Sequence, residues 1–535
     1  MRGLRLALVF LAPILVASAL RFPELTLRPM HCDEGVNADK FGTLLEQGRY
    51  EYNPAEFHGP TLYYLTLLPA RLLGQKSYTT IDEATLRSVP AFAGLVLVGA
   101  PVLLVPFIGP AGATVAAMLT AISPAMVYYS RYYIHEVLFV LFSFGALASA
   151  CRYLLKPCAT WAVLAGAFFG LMQATKETAV ICFLSMLLAG AAILIFEKWR
   201  GAIPPRLRTS VRRTHLVLAV LAAVVVSTVL YSSFFSHWRG IGDSLRAYHF
   251  YFDRAGAPSY HIHPWDFYLR LLVYSHSQGG PVWSEGLIAV LAVPGFLAGW
   301  RKAGIPGINQ TLLRFLGCYT LLMIATYSVI PYKTPWCLLG FLHGLILLAG
   351  AGVVVLVRGM NKAALRVPAC VLMIAAAGHL GWQAWAASFL YGTEPRNPYV
   401  YAHTGTDVFL IARRVEELAR AHPQGPAMPV QIVSRENLWP LPWYFRKLSG
   451  VQWWNGVSET APKAPVILAT PDMEPALIRK LYELPPPGER DLYMTIFDRP
   501  VELRPQVELR GYAVKWLWDD YLRLDADASS PSRRQ

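Results

Sequence analysis

Five short segments of this 535-residue chain gather side chains that can do chemistry. Met30-His31-Cys32-Asp33-Glu34-Gly35 carries a carboxylate pair. His58-Gly59-Pro60-Thr61-Leu62-Tyr63-Tyr64 sets a histidine ahead of an aromatic stretch, and Arg131-Tyr132-Tyr133-Ile134-His135-Glu136 combines a cation, a histidine and an acid. Lys176-Glu177 and Tyr332-Lys333-Thr334-Pro335-Trp336 add two lysines. A carboxylate pair can serve as a general base, ligate a divalent cation, or do both. Lysine and arginine can hold phosphate oxygens. Each segment also has a plain structural reading. Asp33 can cap a helix, His58 can open a turn with interfacial tyrosines, and Glu136 suits the positive end of a helix. Lys176-Glu177 can be a solvated turn. None of the five decides alone; the elements that position them must.

Those elements follow from composition. Hydrophobic residues make up 55% of the chain and charged residues 15%, against about 25% charged in soluble domains; the mean hydropathy is +0.38. Eleven apolar runs of bilayer-crossing character stand at 4–20, 88–107, 111–129, 134–154, 160–174, 178–196, 215–235, 285–300, 312–330, 336–357 and 367–389. Residues 61–73 form a further apolar stretch too short to span, which predicts an interfacial or re-entrant helix. Arg2, Arg5, the first apolar run and Ala17-Ser18-Ala19 also match a cleavable signal. With or without cleavage, Arg21 emerges outside. With the N-terminus inside, the inner segments 1–5, 152–159, 197–213, 301–314 and 358–366 hold 16 basic residues and one acidic residue, Glu197. That is the positive-inside pattern. It absorbs the whole net charge of +14, so no basic patch is left for a nucleic-acid partner. The expected architecture is a polytopic α-helical domain over 1–390, with outer loops 21–87 and 236–284. An extracytoplasmic α/β domain over 391–535 follows it.

Under this topology all five segments fall at the outer face, at or near span ends. Charged groups at membrane depth are costly and mark function. A carboxylate pair, a second acidic site and several cations at headgroup level suit an anionic, lipid-borne substrate attacked from the outer aqueous phase.

In these residues the chain resembles the lipid-linked-sugar glycosyltransferases of the GT-C fold, the superfamily of protein O-mannosyltransferases and aminoarabinose–lipid A transferases. The likeness is carried by Asp33-Glu34, by His58-Gly59-Pro60-Thr61-Leu62-Tyr63-Tyr64-Leu65, and by Arg131 with Glu136. Lys176-Glu177-Thr178 and Tyr332-Lys333-Thr334-Pro335-Trp336 are most similar to a prokaryotic subgroup, the flippase-activity-associated glycosyltransferases. The resemblance implies a polyprenyl-phosphate-linked sugar donor, a membrane setting in the inner (cytoplasmic) membrane, and an envelope acceptor that is protein, lipid or glycan. It implies inverting transfer, with Asp33 as the base and Glu34 supporting it or sharing a metal. His135 and Glu136 match a second acidic site that in some relatives holds a divalent metal ion, to which Asp33 would also contribute. His58, Arg131, His135, Glu136, Lys176, Tyr332 and Lys333 are implied to bind substrate, His135 and Glu136 by orienting acceptor or donor as in relatives without the metal, and the cations by facing the lipid phosphate. The chain departs from the common pattern in Gly59 and in a glutamate preceded by histidine at the second acidic position.

A lipid-linked-sugar flippase or other transporter is the alternative of a different class. It would place ionisable groups near the bilayer midplane and often shows an internal repeat. Clustering at one interface favours surface chemistry. Loop 236–284, rich in tryptophan, tyrosine and histidine, reads as a lid. Beyond 391, strands are expected at 430–433, 451–454 and 466–469, and helices at 406–420, 437–448 and 473–482, with a disordered tail from about 525. Seven scattered cysteines with no CxxC support neither a disulfide framework nor structural zinc.

Overall fold

The computed structural model describes residues 2–56, 58–200, 211–256 and 261–529. Arg206 and Arg208 of the inner loops and the end of the tail, 530–535, lie outside the described residues. The chain forms two compact units. One comprises Met1–Leu25, Lys40–Lys76 and Ile81–Tyr401; the other comprises Thr26–Asp39, Ser77–Thr80 and Ala402–Gln535.

The first unit is helical. Among the described residues, seven helices are long and apolar enough to cross a membrane: Glu83–Ile122, Glu136–Leu155, Ala179–Trp199, Arg213–Tyr231, Gln310–Val329, Pro335–Gly359 and Ala363–Leu390. The first of these is 40 residues long and breaks at Gly109, whose φ of +71° is followed by Pro110. Glycine tolerates that conformation and proline has no amide to continue the helix. The break divides the segment into the two runs read at 88–107 and 111–129. Leu8–Arg21, Ala159–Gln173 and Gly286–Trp300 are apolar but shorter, and coincide with the runs read at 4–20, 160–174 and 285–300. Helices Gly286–Trp300 and Leu339–Gly359 meet through glycines. A Cβ on Gly295 would stand 2.0 Å from the Leu348 carbonyl oxygen, and one on Gly352 1.9 Å from that of Leu291. Small residues let apolar helices approach closely where no water drives them together. Glu197, the lone inner acid, is buried in an ion pair with Arg314, whose Nε also donates to the Gly299 carbonyl at 2.6 Å.

The short apolar stretch forms the helix Thr61–Leu72. Loop 236–284 contains the helices Arg239–Gly256 and Phe267–Val273 and a small antiparallel hairpin, β1 (Ser275–His276) with β2 (Val282–Trp283).

The second unit is α/β. Its strands are β3 (Val430–Val433), β4 (Val451–Trp454), β5 (Val466–Ala469), β6 (Tyr493–Thr495), β7 (Val501–Arg504) and β8 (Val507–Val514). The sheet order is β4-β3-β5-β8-β6, with β7 also paired to β8. β3, β4 and β5 are parallel, whereas β8 runs antiparallel to β5 and β6. Side chains alternate across the sheet. Val430, Ile432, Val466 and Leu468 join a core with Val408, Ile411, Val415 and Leu418 of helix Asp407–Ala421. Val433, Ile467 and Ala469 join another with Met473, Leu477 and Leu481.

Two expectations need correction here. The helix expected at 437–448 shrinks to Leu441–Tyr444, because Pro440 and Pro442 interrupt the amide ladder. The tail expected to be disordered from about 525 is helical as far as Ser529, in the helix Lys515–Ser529.

Candidate functional site

Each unit holds part of the residue set. In the first, the segment after His58 lies along the turn between helices Ala159–Gln173 and Ala179–Trp199. The Gly59 amide donates to the Thr175 carbonyl and the Thr61 amide to the Ala174 carbonyl, each at 3.2 Å. The Thr61 and Thr175 hydroxyls are 2.8 Å apart. A Cβ on Gly59 would lie 2.2 Å from the Ala174 carbonyl oxygen. The glycine that departs from the family pattern is therefore what permits this backbone contact.

The contact sets His58 beside Glu177. His58 Nδ1 is 2.6 Å from Glu177 Oε2, and the Tyr52 hydroxyl donates to Glu177 Oε1 at 2.7 Å. The Tyr251 hydroxyl stands 2.9 Å from the same His58 nitrogen. Burial alone would raise the Glu177 carboxyl. The His58 ring and the hydrogen bonds from His58 and Tyr52 instead hold it below the ordinary carboxylate value. Glu177 is thus no solvated turn residue; it is 3% exposed. The sequence reading did not assign it a site role, nor Tyr52 or Tyr251. The available signal was the brevity of the 174–178 connection, too short to carry a charge far from two apolar helices.

His135 is fully buried, with its ring 5.3 Å from that of His58. Its Nε2 lies 3.0 Å from the Gly59 carbonyl oxygen and donates there, while Nδ1 is buried without a partner. Glu136 and Lys176, both buried, form an ion pair. Burial would lower the Lys176 ammonium, but the Glu136 carboxylate outweighs it and the net direction is upward. A shallow cleft opens beside the pair, walled by Phe139, Tyr327, Trp336 and Cys337.

Tyr332 and Lys333 belong to a strand-like pairing of 261–263 with 331–333. Lys333 N donates to the His261 carbonyl at 2.8 Å and His263 N to the Pro331 carbonyl at 3.1 Å. The Tyr332 ring packs 4.7 Å from His261. The Lys333 ammonium is 3.1 Å from the His263 carbonyl oxygen and also meets that of Ile330. It has no carboxylate partner among the described residues, and burial lowers its pKa. Arg131 is committed elsewhere. Its guanidinium donates to the carbonyls of Leu20, Arg21, Pro23 and Glu24 at 3.4, 3.1, 2.7 and 3.0 Å, where a cation satisfies the end of helix Arg2–Arg21.

Asp33 and Glu34 lie in the second unit, in the first turn of helix Cys32–Gln47. His31 caps this helix. Its Nδ1 accepts from the Asp33 amide at 3.1 Å, and Glu34 Oε2 accepts from the His31 amide at 2.9 Å. This is the reciprocal arrangement of a capping box. Glu34 is fully buried, 3.9 Å from Arg28, whereas the Asp33 side chain is 51% exposed. The cap therefore consumes Glu34 and leaves Asp33 facing solvent. Burial and the Asp33 carboxylate push the adjacent Cys32 thiol up to about 12.

The described residues contain no group of three His, Cys, Asp or Glu side chains placed to hold a metal ion. Glu136 is committed to Lys176, and no third ligand stands with His135 and Glu136 among the described residues.

A family model described as dolichyl-phosphate-mannose-protein mannosyltransferase matches residues 58–231, the stretch holding His58, Arg131, His135, Glu136, Lys176 and Glu177. No curated protein matches the chain. Among solved structures, ArnT from Cupriavidus metallidurans bound to undecaprenyl phosphate is similar with a TM-score of 0.62 at 15% identity, over 96% of this chain and 98% of that one. The oligosaccharyltransferase AglB from Archaeoglobus fulgidus, in complex with an inhibitory peptide and a dolichol-phosphate, gives 0.54 at 13% identity, over 88% and 70%. The Archaeoglobus fulgidus oligosaccharyltransferase in complex with Zn and sulfate gives 0.53 at 13%, over 87% and 68%. The fold is that of the GT-C proteins. The family model covers residues 58–231, and the fold over nearly the whole chain is shared with these membrane proteins.

Proposed function

We propose that the protein transfers a sugar from a polyprenyl-phosphate donor to an acceptor on the outer face of the inner membrane, with inversion. The observation that carries the reading is the division of the carboxylate pair: Glu34 buried in its cap, Asp33 half exposed. Asp33 takes the proton of the acceptor hydroxyl or amine as that group attacks the anomeric carbon. The bond from the anomeric carbon to the phosphate oxygen breaks, and polyprenyl phosphate leaves with the electron pair. Lys333, buried and without a carboxylate partner, is the cation suited to the lipid phosphate. Lys176 already has Glu136, and Arg131 has four carbonyls. His58, Glu177, Tyr52 and Tyr251 offer a ring of hydrogen-bonding groups for a sugar or phosphate oxygen. Membership of the flippase-activity-associated subgroup rests on the motifs alone. No step is routed through a metal.

The test is transfer of radiolabelled sugar from polyprenyl-phosphate donors to envelope acceptors by purified protein. Asp33→Asn should lose about 100-fold or more of the rate, the range a general base supplies, with an unchanged melting temperature. Glu34→Gln should lower the melting temperature, because its cap bonds weaken and Arg28 loses its charge partner. Full transfer by Asp33→Asn would refute the base assignment. A protein that consumes no donor yet moves lipid-linked sugar across vesicles would refute the transferase reading.

A further inference from the structure

The second unit contains a crevice that the transfer reaction does not use. It lies at the carboxyl ends of β3 and β4, whose last residues, Val433 and Trp454, are paired in register. In open parallel sheets, ligands collect at such ends. The crevice is lined by Val433, Trp454, Gly456, Ser458, Leu477 and Lys480 among others, and encloses roughly 200 Å³ including its open mouth.

Gln431 and Ser458 in its lining have partners, whereas two of its donors have no acceptor among the described residues. Lys480 is 5% exposed and has no hydrogen bond or ion pair among the described residues. The Trp454 indole Nε1 is buried and also has no partner. No carboxylate lines the crevice. The stem of Lys480 is buried while its ammonium lines the crevice without a counter-charge, and burial lowers its pKa. Both groups would be satisfied by one anionic oxygen cluster. We propose that this crevice binds the phosphate or carboxylate group of a small molecule, with Lys480 as its charge partner and the Trp454 indole as a hydrogen-bond donor.

The full-length protein in detergent would be titrated calorimetrically with inorganic phosphate and, separately, with acetate, against a constant chloride background. One site per chain is expected for at least one of the two anions. Binding of phosphate alone assigns a phosphate group, and binding of acetate assigns a carboxylate. Lys480→Met should weaken binding at least tenfold. Its anion-free melting temperature should stay close to that of the wild type, because the bulk of the buried stem is kept. Asp33→Asn should bind as the wild type does, which separates this site from the transfer reading. The proposal is overturned if neither anion binds or if Lys480→Met binds equally well. It is also overturned if Lys480→Met lowers the anion-free melting temperature, which would make the lysine a structural residue.

Discussion

Glu34 spends its carboxylate inside the protein, on the His31 amide and toward Arg28, while Asp33 keeps 51% of its side-chain surface exposed. Adjacent residues of the same charge thus acquire different chemistry from one helix turn. Lys333 and Arg131 differ in a comparable way. Arg131 is tied to a helix end by four carbonyls, and Lys333 is buried against carbonyls that leave its charge uncompensated. Burial lowers the Lys333 pKa from 10.5, so its charge is lost at a lower pH than that of a free lysine. If Lys333 holds the donor phosphate, the donor KM should climb on the alkaline side before the ordinary lysine range is reached. Lys333→Arg should flatten that limb, because guanidinium stays protonated. Lys333→Met should raise KM about tenfold at neutral pH, the loss expected from one charge-assisted hydrogen bond. A KM independent of pH from 7 to 10 and unchanged in Lys333→Met would remove Lys333 from the site. For stability the sign is opposite. A lysine with a depressed folded value costs stability while charged, and stability rises with pH through that value.

At the scale of elements, the site depends on one backbone contact. Residues 59–61 and 174–175 lie close enough for amide–carbonyl bonds only because position 59 carries no Cβ. That contact brings His58 to Glu177 and gives His135 its carbonyl partner. Gly59→Ala should push the two segments apart at a cost of about 1–3 kcal/mol, the range for overpacking. The readouts are a lowered melting temperature and loss of most transfer activity. Gly242→Ala, where an added Cβ meets nothing within 4 Å, is the matched control and should do neither. A Gly59→Ala protein as stable and active as the control would show that the contact does not hold the cluster. The helix cap at Cys32 and the paired segment 331–333 act in the same way on Asp33 and Lys333: short local geometry aims a side chain whose type was already plain.

At the scale of the whole molecule, the charge pattern makes a topological prediction. In a background with the native cysteines replaced by serine, Gln278→Cys should react with an impermeant maleimide on intact cells. Lys302→Cys should react only after permeabilisation. The reverse pattern would invert the orientation and move every proposed site residue to the cytoplasmic face.

The membrane helices were legible in the sequence because each needs only a local apolar run of fixed length, and burial in lipid leaves little else to satisfy. Strands β3, β4 and β5 were legible for a related reason: short apolar runs between turn residues declare themselves. β6, β7 and β8 were not read: β8 takes its register from β5, far away in sequence, and β6 and β7 take theirs from β8. The residue types able to do chemistry were also visible at once, as was their order. Which of them are committed was decided only by the tertiary structure. Hydrogen-bond and charge partners come from distant segments: Glu177 for His58, Glu136 for Lys176, the end of the first helix for Arg131. A sequence states which groups exist, and folding determines which of them are already satisfied.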